Sequence, residues 1–364
     1  GLVSGIPGKP LWGFGILILF GASWVIFATG QFLIYGIMWD VVRPVTSLAL
    51  TQLSLFSFTF LVMDRDKRFL KDTFGTYISP ELIEQMVEEK EEPKLGGDEA
   101  FHTAFFTDVQ DFSTISEQLT ATDLVELLNV YLTDMTTILL ENQGTLDKYI
   151  GDAIVAFYGA PVPIKDHAYK ACKTALEMQE RLEFLRKEWI NEGERWPEIV
   201  HSMQNRIGIH SGPMVTGNMG SEQRMNYTMM GDAVNLAARL ESSCKFYGIY
   251  TQITEDTYSE VKDRVVVREI DRIIVKGKSE PVNTFELVSL IGQQPKHMDE
   301  LLPGFREALG LYRDRSWKKA GALFSSLEEH EVMVPSRNTN PCRVYSERCA
   351  VYEKNPPPEN WDGV

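Results

Sequence analysis

Two acidic turns and one polar helix face hold the residues with chemical potential in this 364-residue sequence. In Phe105-Phe106-Thr107-Asp108-Val109-Gln110-Asp111-Phe112-Ser113 an apolar strand delivers Asp108 to its C-terminal edge, and a turn leads into a helix. A carboxylate there stands beside free backbone amides, where a phosphate and a divalent ion can both bind. In Lys148-Tyr149-Ile150-Gly151-Asp152-Ala153 a Gly-Asp turn sets a second carboxylate at a hairpin tip. Alone, each is an ordinary acidic turn; on neighbouring strands, the two would clamp a pair of magnesium ions. In Tyr227-Thr228-Met229-Met230-Gly231-Asp232-Ala233-Val234-Asn235-Leu236-Ala237-Ala238-Arg239 the polar Asn235 and cationic Arg239 are four apart on one helix face. Arg239 offers a fixed fork of donors to a phosphoryl oxygen; a solvated helix face is the plainer alternative.

The elements that must position these groups alternate between strand and helix from Phe101 to Leu290. Phe101 to Phe106 is a short strand. Leu124, Leu127, Leu128, Tyr131, Leu132, Met135, Ile138 and Leu139 recur at helical spacing. Thr145 to Tyr149 and Ala153 to Tyr158 form a hairpin, and Ala168 to Trp189 is helical. Asn205 to His210 and Pro213 to Gly217 are two strands turning at Ser211-Gly212, followed by a helix from Ala233 to Phe246. The order β-α-β-β-α-β is a ferredoxin-like α+β plan. Gly96-Gly97-Asp98-Glu99-Ala100 nearly spells a diguanylate cyclase signature, but it precedes the first strand and is assigned to a flexible polar loop.

The flanks differ from this middle. Residues 10–39 contain no Asp, Glu, Lys or Arg, and a second uncharged run covers 44–63. Such lengths predict two transmembrane helices, about 11–37 and 44–63, in a membrane region of residues 1–63. Lys9, Arg65, Lys67, Arg68 and Lys71 put both ends in the cytoplasm by the positive-inside rule, making the protein multi-pass in the cell (inner) membrane. Residues 64–98 form a charged helical connector in which Ser79 and Pro80 start a helix. Residues 99–290 are the chemical domain. Residues 291–364 are a helical tail whose antiparallel pair resembles one tetratricopeptide unit, and one such unit must pack on something else. The chain lacks an initiating Met, so segments before it are expected.

Composition excludes several classes. Charged residues are 24% of the chain and hydrophobic ones 44%, which is not a disordered composition. A net charge of -15 argues against duplex nucleic acid as a partner. Four cysteines without a CxxC pair exclude a disulfide scaffold and a four-cysteine zinc site. They are expected to be reduced.

Taken together, Asp108 with its strand, the Lys148 to Asp152 hairpin, Arg206-Ile207-Gly208-Ile209-His210-Ser211-Gly212, the Thr228 to Glu241 segment and Val275-Lys276-Gly277-Lys278 resemble, in order, the class III nucleotide cyclase catalytic domain. The resemblance implies that Asp108, Val109 and Asp152 hold two ions of Mg2+ (or Mn2+). It implies that Lys148 and Thr228 read the purine, and that Phe112 and Ser113 contact substrate. Arg206 and Lys276 would hold phosphates, and Asn235 and Arg239 would carry catalysis at the ribose and the α-phosphate. Family members with guanylate activity carry Glu and Cys where Lys148 and Thr228 stand, so the expected substrate is ATP and the product cyclic AMP. Thr228 also resembles a subgroup often stimulated by bicarbonate. In the family the site forms between two domains, which implies a homodimer here, with membrane lipid as a further contact. The connector resembles that of membrane cyclases bearing a CHASE-type sensor, which is expected among the missing N-terminal segments.

Overall fold

The computed structural model describes residues 10–58, 94–273, 281–332, 334, 336–361 and 363, in two compact units divided after Lys90. The first unit contains α1 (Pro10–Tyr35) and α2 (Val42–Phe58). Asp40 ends the link between them: its Oδ1 accepts from the Val42 and Arg43 amides at 3.0 and 3.2 Å, and its carbonyl accepts from the Trp24 indole at 3.2 Å.

Among the described residues no helix is long and apolar enough to cross a membrane. The expected spans over 11–37 and 44–63 are corrected accordingly. In α2 the hydroxyl residues Thr46, Ser47, Thr51 and Ser54 interrupt the apolar surface. Residues 59–63 of the second expected span, and 64–93 of the connector, lie outside the described residues.

The second unit is built on one sheet of eight strands among the described residues. Its first half runs β1 (Gly96–Val109), α3 (Phe112–Gln118), α4 (Ala121–Glu141), β2 (Thr145–Ile150), β3 (Ala153–Tyr158), α5 (His167–Asn191) and β4 (Asn205–Ser221). The strand order β2-β3-β1-β4, antiparallel throughout, is the ferredoxin-like arrangement that the β-α-β-β-α-β pattern predicts. A short helix α6 (Glu198–His201) precedes β4. After β4 come β5 (Arg224–Met230), α7 (Asp232–Tyr247), β6 (Thr251–Thr254), α8 (Glu255–Val261), β7 (Val265–Ile273) and β8 (Val282–Leu290). The sheet continues from β4 through β6 and β8 to β7, while β5 pairs with the far half of β4.

Strand alternation divides the sheet's contacts between two layers. Phe105 and Val109 point into the larger core, against Leu127, Tyr131, Met135 and Leu139 of α4 and Met178, Leu182 and Leu185 of α5. Ala104 and Phe106 face the other way, where Met214, Met229, Ala233 and Ala237 cover them. The next residue of that second face is Asp108, so the strand's period of two aims this carboxylate toward α7.

Two local expectations are corrected. Ser211-Gly212 is no turn: β4 runs straight through it, with His102↔Gly212 and Thr103↔Ser211 in register. The segment from Gly96 is no loop either, because Gly96↔Asn218, Gly97↔Gly217 and Asp98↔Thr216 extend the same ladder. A continuous partner satisfies backbone groups that the sequence shows no local means of satisfying.

The tail is α9 (Met298–Arg313), α10 (Trp317–Leu327) and α11 (Pro341–Lys354). The expected helix pair forms, and its apolar face is closed by α11: Phe305, Phe324 and Tyr345 form one buried cluster. The tail then docks on β7. The Tyr345 hydroxyl donates to the Ile270 carbonyl at 2.7 Å, and Arg348 and Arg313 pair with Asp271 and Glu269 at 2.6 Å each. Arg268, 2% exposed, is clamped between Glu286 and Glu331.

Candidate active site

Asp108 and Arg206 are directly opposed in the β1–β4 register. The Arg206 Nη2 donates to Asp108 Oδ2 at 2.6 Å, and its Nε donates to Glu241 Oε1 of α7 at 3.0 Å. Helix α7 comes this close because position 208 of β4 is glycine. A Cβ there would collide with the Ala237 carbonyl and the Glu241 amide. Glu241 is the residue that continues the buried Ala233, Ala237 stripe by four, and a charge at a core position is the sequence signal that would have found it. Burial raises its carboxyl pKa, Asp108's charge adds to that, and Arg206 opposes both.

Asp152 joins the same cluster through the backbone. Its Oδ2 accepts from the Val109 amide at 2.8 Å, and the residue is 7% exposed. One amide expected to be free for a ligand is therefore committed, and the Val109 side chain is core. Burial pushes the Asp152 pKa up and the nearby Asp108 charge pushes it further. Among the described residues no group of three or more His, Cys, Asp or Glu gathers to hold a metal, and Asp108 and Asp152 stand as a pair. They suit a hard divalent cation: both offer oxygen donors, and their mutual repulsion is relieved by positive charge between them.

A second cluster gathers where β5 returns to β2. Thr228 Oγ1 donates to Asp147 Oδ2 at 2.5 Å. Lys148 Nζ lies 3.5 Å from the same hydroxyl and 3.3 Å from Asp147 Oδ1. The expected pair Lys148 and Thr228 is thus brought together, with a third member that sequence reasoning missed. Strand alternation would turn Asp147 away from Lys148, but a bulge between Leu146 and Lys148 breaks the alternation. The Asp147 side chain is 2% exposed, and burial raises its pKa.

The remaining expected residues are placed separately. Asn235 and Arg239 are exposed on α7, one turn apart, whereas Glu241 of the same helix is buried beside Arg206. Phe112 is half-buried against the larger core, and Ser113 is exposed in α3. Lys276 lies outside the described residues. Cys172, Cys244, Cys342 and Cys349 are free and buried, consistent with reduced thiols.

A ferredoxin-like sheet with two carboxylates gathered at a strand end, and a lysine and a threonine brought together between β2 and β5, is the frame of a nucleotide cyclase domain. The chain belongs to that family: residues 100–289 match the adenylate and guanylate cyclase catalytic domain. It is 33% identical over 251 residues to the terminal-differentiation specific adenylate cyclase of Dictyostelium discoideum, covering 68% of this chain and 11% of that protein. It is 34% identical over 222 residues to adenylate cyclase 1 of Rhizobium meliloti (strain 1021), covering 60% of this chain and 32% of that protein. The chain therefore spans less than a third of either relative's length. A bacterial light-regulated adenylyl cyclase structure, 23% identical, shares the fold at a TM-score of 0.52 over 70% of this chain and 66% of that one.

Proposed function

We propose that this chain is an adenylate cyclase converting ATP to 3′,5′-cyclic AMP and pyrophosphate for intracellular signalling. The observation that carries the proposal is the Lys148, Thr228, Asp147 cluster. An ammonium donor beside a hydroxyl that has already given away its hydrogen matches a purine with a ring-nitrogen acceptor and an amino donor.

Asp108 and Asp152 would hold two ions of Mg2+ or Mn2+, with the Val109 carbonyl as a further oxygen. Bound divalent ions would supply Lewis acidity at the ribose 3′-hydroxyl and the α-phosphate. The rest is positioning and charge stabilisation. The 3′-oxygen attacks the α-phosphorus, the bond to the bridging oxygen breaks, pyrophosphate leaves and the hydroxyl proton is released. Arg239 would oppose charge growing on the α-phosphoryl oxygens and Asn235 would hold the ribose. Arg206 and Lys276 would bind the outer phosphates, with Phe112 and Ser113 lining the nucleotide.

A homodimer is part of the proposal. Asn235 and Arg239 face outward while Glu241 of the same helix faces Arg206, so the helix serves two directions. Tyr149, Ile150 and Met230, flanking the purine cluster, are 44%, 60% and 61% exposed, a surface suited to a second copy. A two-fold pair would build two equal sites. The catalytic unit is inferred to work in the cytoplasm, where ATP is made and thiols stay reduced. Attachment to membrane lipid through residues 10–58 is proposed from the charge-free stretch and the exposed Leu19, Phe20, Ile26, Leu33 and Ile34. Recovery of the full chain in a salt-washed membrane pellet tests it.

The deciding experiment is turnover by the purified full chain with ATP or GTP, each with magnesium or manganese, and with or without bicarbonate. Cyclic AMP as the main product is expected. Cyclic GMP as the main product, or no product with either metal, would overturn the proposal.

A further inference from the structure

We infer that Asp147 is a positioning residue that sets base selectivity by fixing which way the Thr228 hydroxyl points, so that the site accepts 6-aminopurines and rejects 6-oxopurines. The inference rests on the proposal that Lys148 and Thr228 meet the purine.

A threonine hydroxyl has one hydrogen and two lone pairs. Left free, it rotates to suit either an amino or an oxo group, so by itself it discriminates weakly. Here its hydrogen is committed to Asp147 Oδ2 at 2.5 Å. An ionised carboxylate only accepts, so this bond has one direction and Thr228 must be the donor. Lys148 Nζ, 3.5 Å away, also only donates. Both protein neighbours therefore leave Thr228 as an acceptor toward the substrate. An adenine amino group donates to it. A 6-oxo group would meet lone pairs facing lone pairs, and a buried polar group left unpaired costs more than a typical bond gains.

Asp147 is well suited to hold this arrangement. The bulge between Leu146 and Lys148 puts consecutive residues on the same target, and a 2% exposed side chain admits little competing water. Lys148 lies 3.3 Å from Oδ1, an ion pair rather than an aligned hydrogen bond, which anchors the carboxylate while leaving the ammonium available. Asp147 itself need not touch the nucleotide.

The test compares ATP with inosine triphosphate, which carries oxygen in place of the 6-amino group and differs from ATP only there and in the ring N1 proton. The wild type should prefer ATP. In Asp147→Asn the amide can donate to Thr228 and release its hydrogen, so the ratio of kcat/KM for ATP over inosine triphosphate should fall about tenfold or more. The change should lie mainly in KM. In a Thr228→Val background, Asp147→Asn should leave the ratio unchanged, since no hydroxyl remains to orient. A merely structural role would lower both substrates together and keep the ratio. Folding of every variant is checked by thermal melting, and Thr228→Ser, which keeps the hydroxyl, should retain the Asp147 effect. A wild type without preference for ATP would sink the underlying base assignment. A wild type that prefers ATP, with Asp147→Asn keeping that ratio, would overturn the role of Asp147 alone.

Discussion

Asp108 and Arg206 stand opposite each other in the β1–β4 ladder, and their side chains close the same step at 2.6 Å. The arginine thus neutralises a carboxylate proposed to hold metal, and Glu241 holds the arginine from the other side. Asp108→Ala should reduce kcat by about a hundredfold or more, equivalent to about 3 kcal/mol, while Arg206 keeps Glu241 and the fold survives. Product formation near the wild-type rate by a folded Asp108→Ala chain would show that this carboxylate is not part of the reaction.

Gly208 controls the distance between α7 and the sheet. In Gly208→Ala the new methyl meets backbone of Ala237 and Glu241, which cannot rotate away. The helix must shift, and with it Glu241 and the exposed Asn235 and Arg239. A stability loss of about 1–3 kcal/mol is expected from overpacking, with a larger fractional loss of turnover. Chemical denaturation measured beside activity checks this, and an unshifted midpoint would contradict the packing account.

The buried Asp147 gives a pH signature. Burial raises its pKa above the ordinary value, against smaller lowering by Thr228 and Lys148. The folded chain then holds this proton more tightly than the unfolded chain. The group's contribution to stability is therefore fully present below the unfolded pKa and is lost as pH rises through the raised folded one. Asp147→Asn has no proton to lose. The melting temperature of wild type minus variant should decline with rising pH across that window and level off above it. A difference independent of pH would remove the case for a perturbed carboxyl.

Shared sites make a quantitative complementation experiment. Asp108→Ala and Arg239→Ala chains should each be inactive alone. Co-expressed, random pairing makes half the dimers mixed, each with one site carrying both defects and one carrying neither. Activity should return to about one quarter of wild type. Demonstrated mixed dimers with no rescue would mean that each site is built within one chain.

Much of this arrangement was legible before any coordinates. The 3.6-residue recurrence of Leu127, Tyr131, Met135 and Leu139 specified α4 and its buried face, and the Gly151 turn specified the β2–β3 hairpin. Asp108 and Asp152 could be named only in company: each alone is an ordinary acidic turn, and it was their order with Arg206, Thr228, Asn235 and Arg239 that carried the resemblance. Asp147 was missed because its role depends on a bulge, and nothing in Leu146-Asp147-Lys148 marks one. The long β1–β4 ladder was missed for a related reason. Gly96, Gly97, Ser211 and Gly212 have turn-forming composition, and only the partner strand makes them extended. The spans were expected from the absence of charge alone, a signal that does not register the hydroxyl residues of α2.

The tail reaches well beyond β7. The Gln110 side-chain Nε2, two residues past Asp108, donates to the Ser336 carbonyl at 3.1 Å, and the Arg337 Nε donates to the Gly248 carbonyl at 2.8 Å, just past α7. Family kinship and foldable length therefore have different borders in this chain. The cyclase match stops at residue 289, but a fragment excised there would leave Arg268 with half its counter-charge and strip the cover from Ile270. It would also unhook the loop that follows Asp108. For expression, grafting or fusion to another sensor, the unit to transfer is the whole second compact unit, residues 91–364, and swaps cut at the kinship border should yield protein that aggregates or idles.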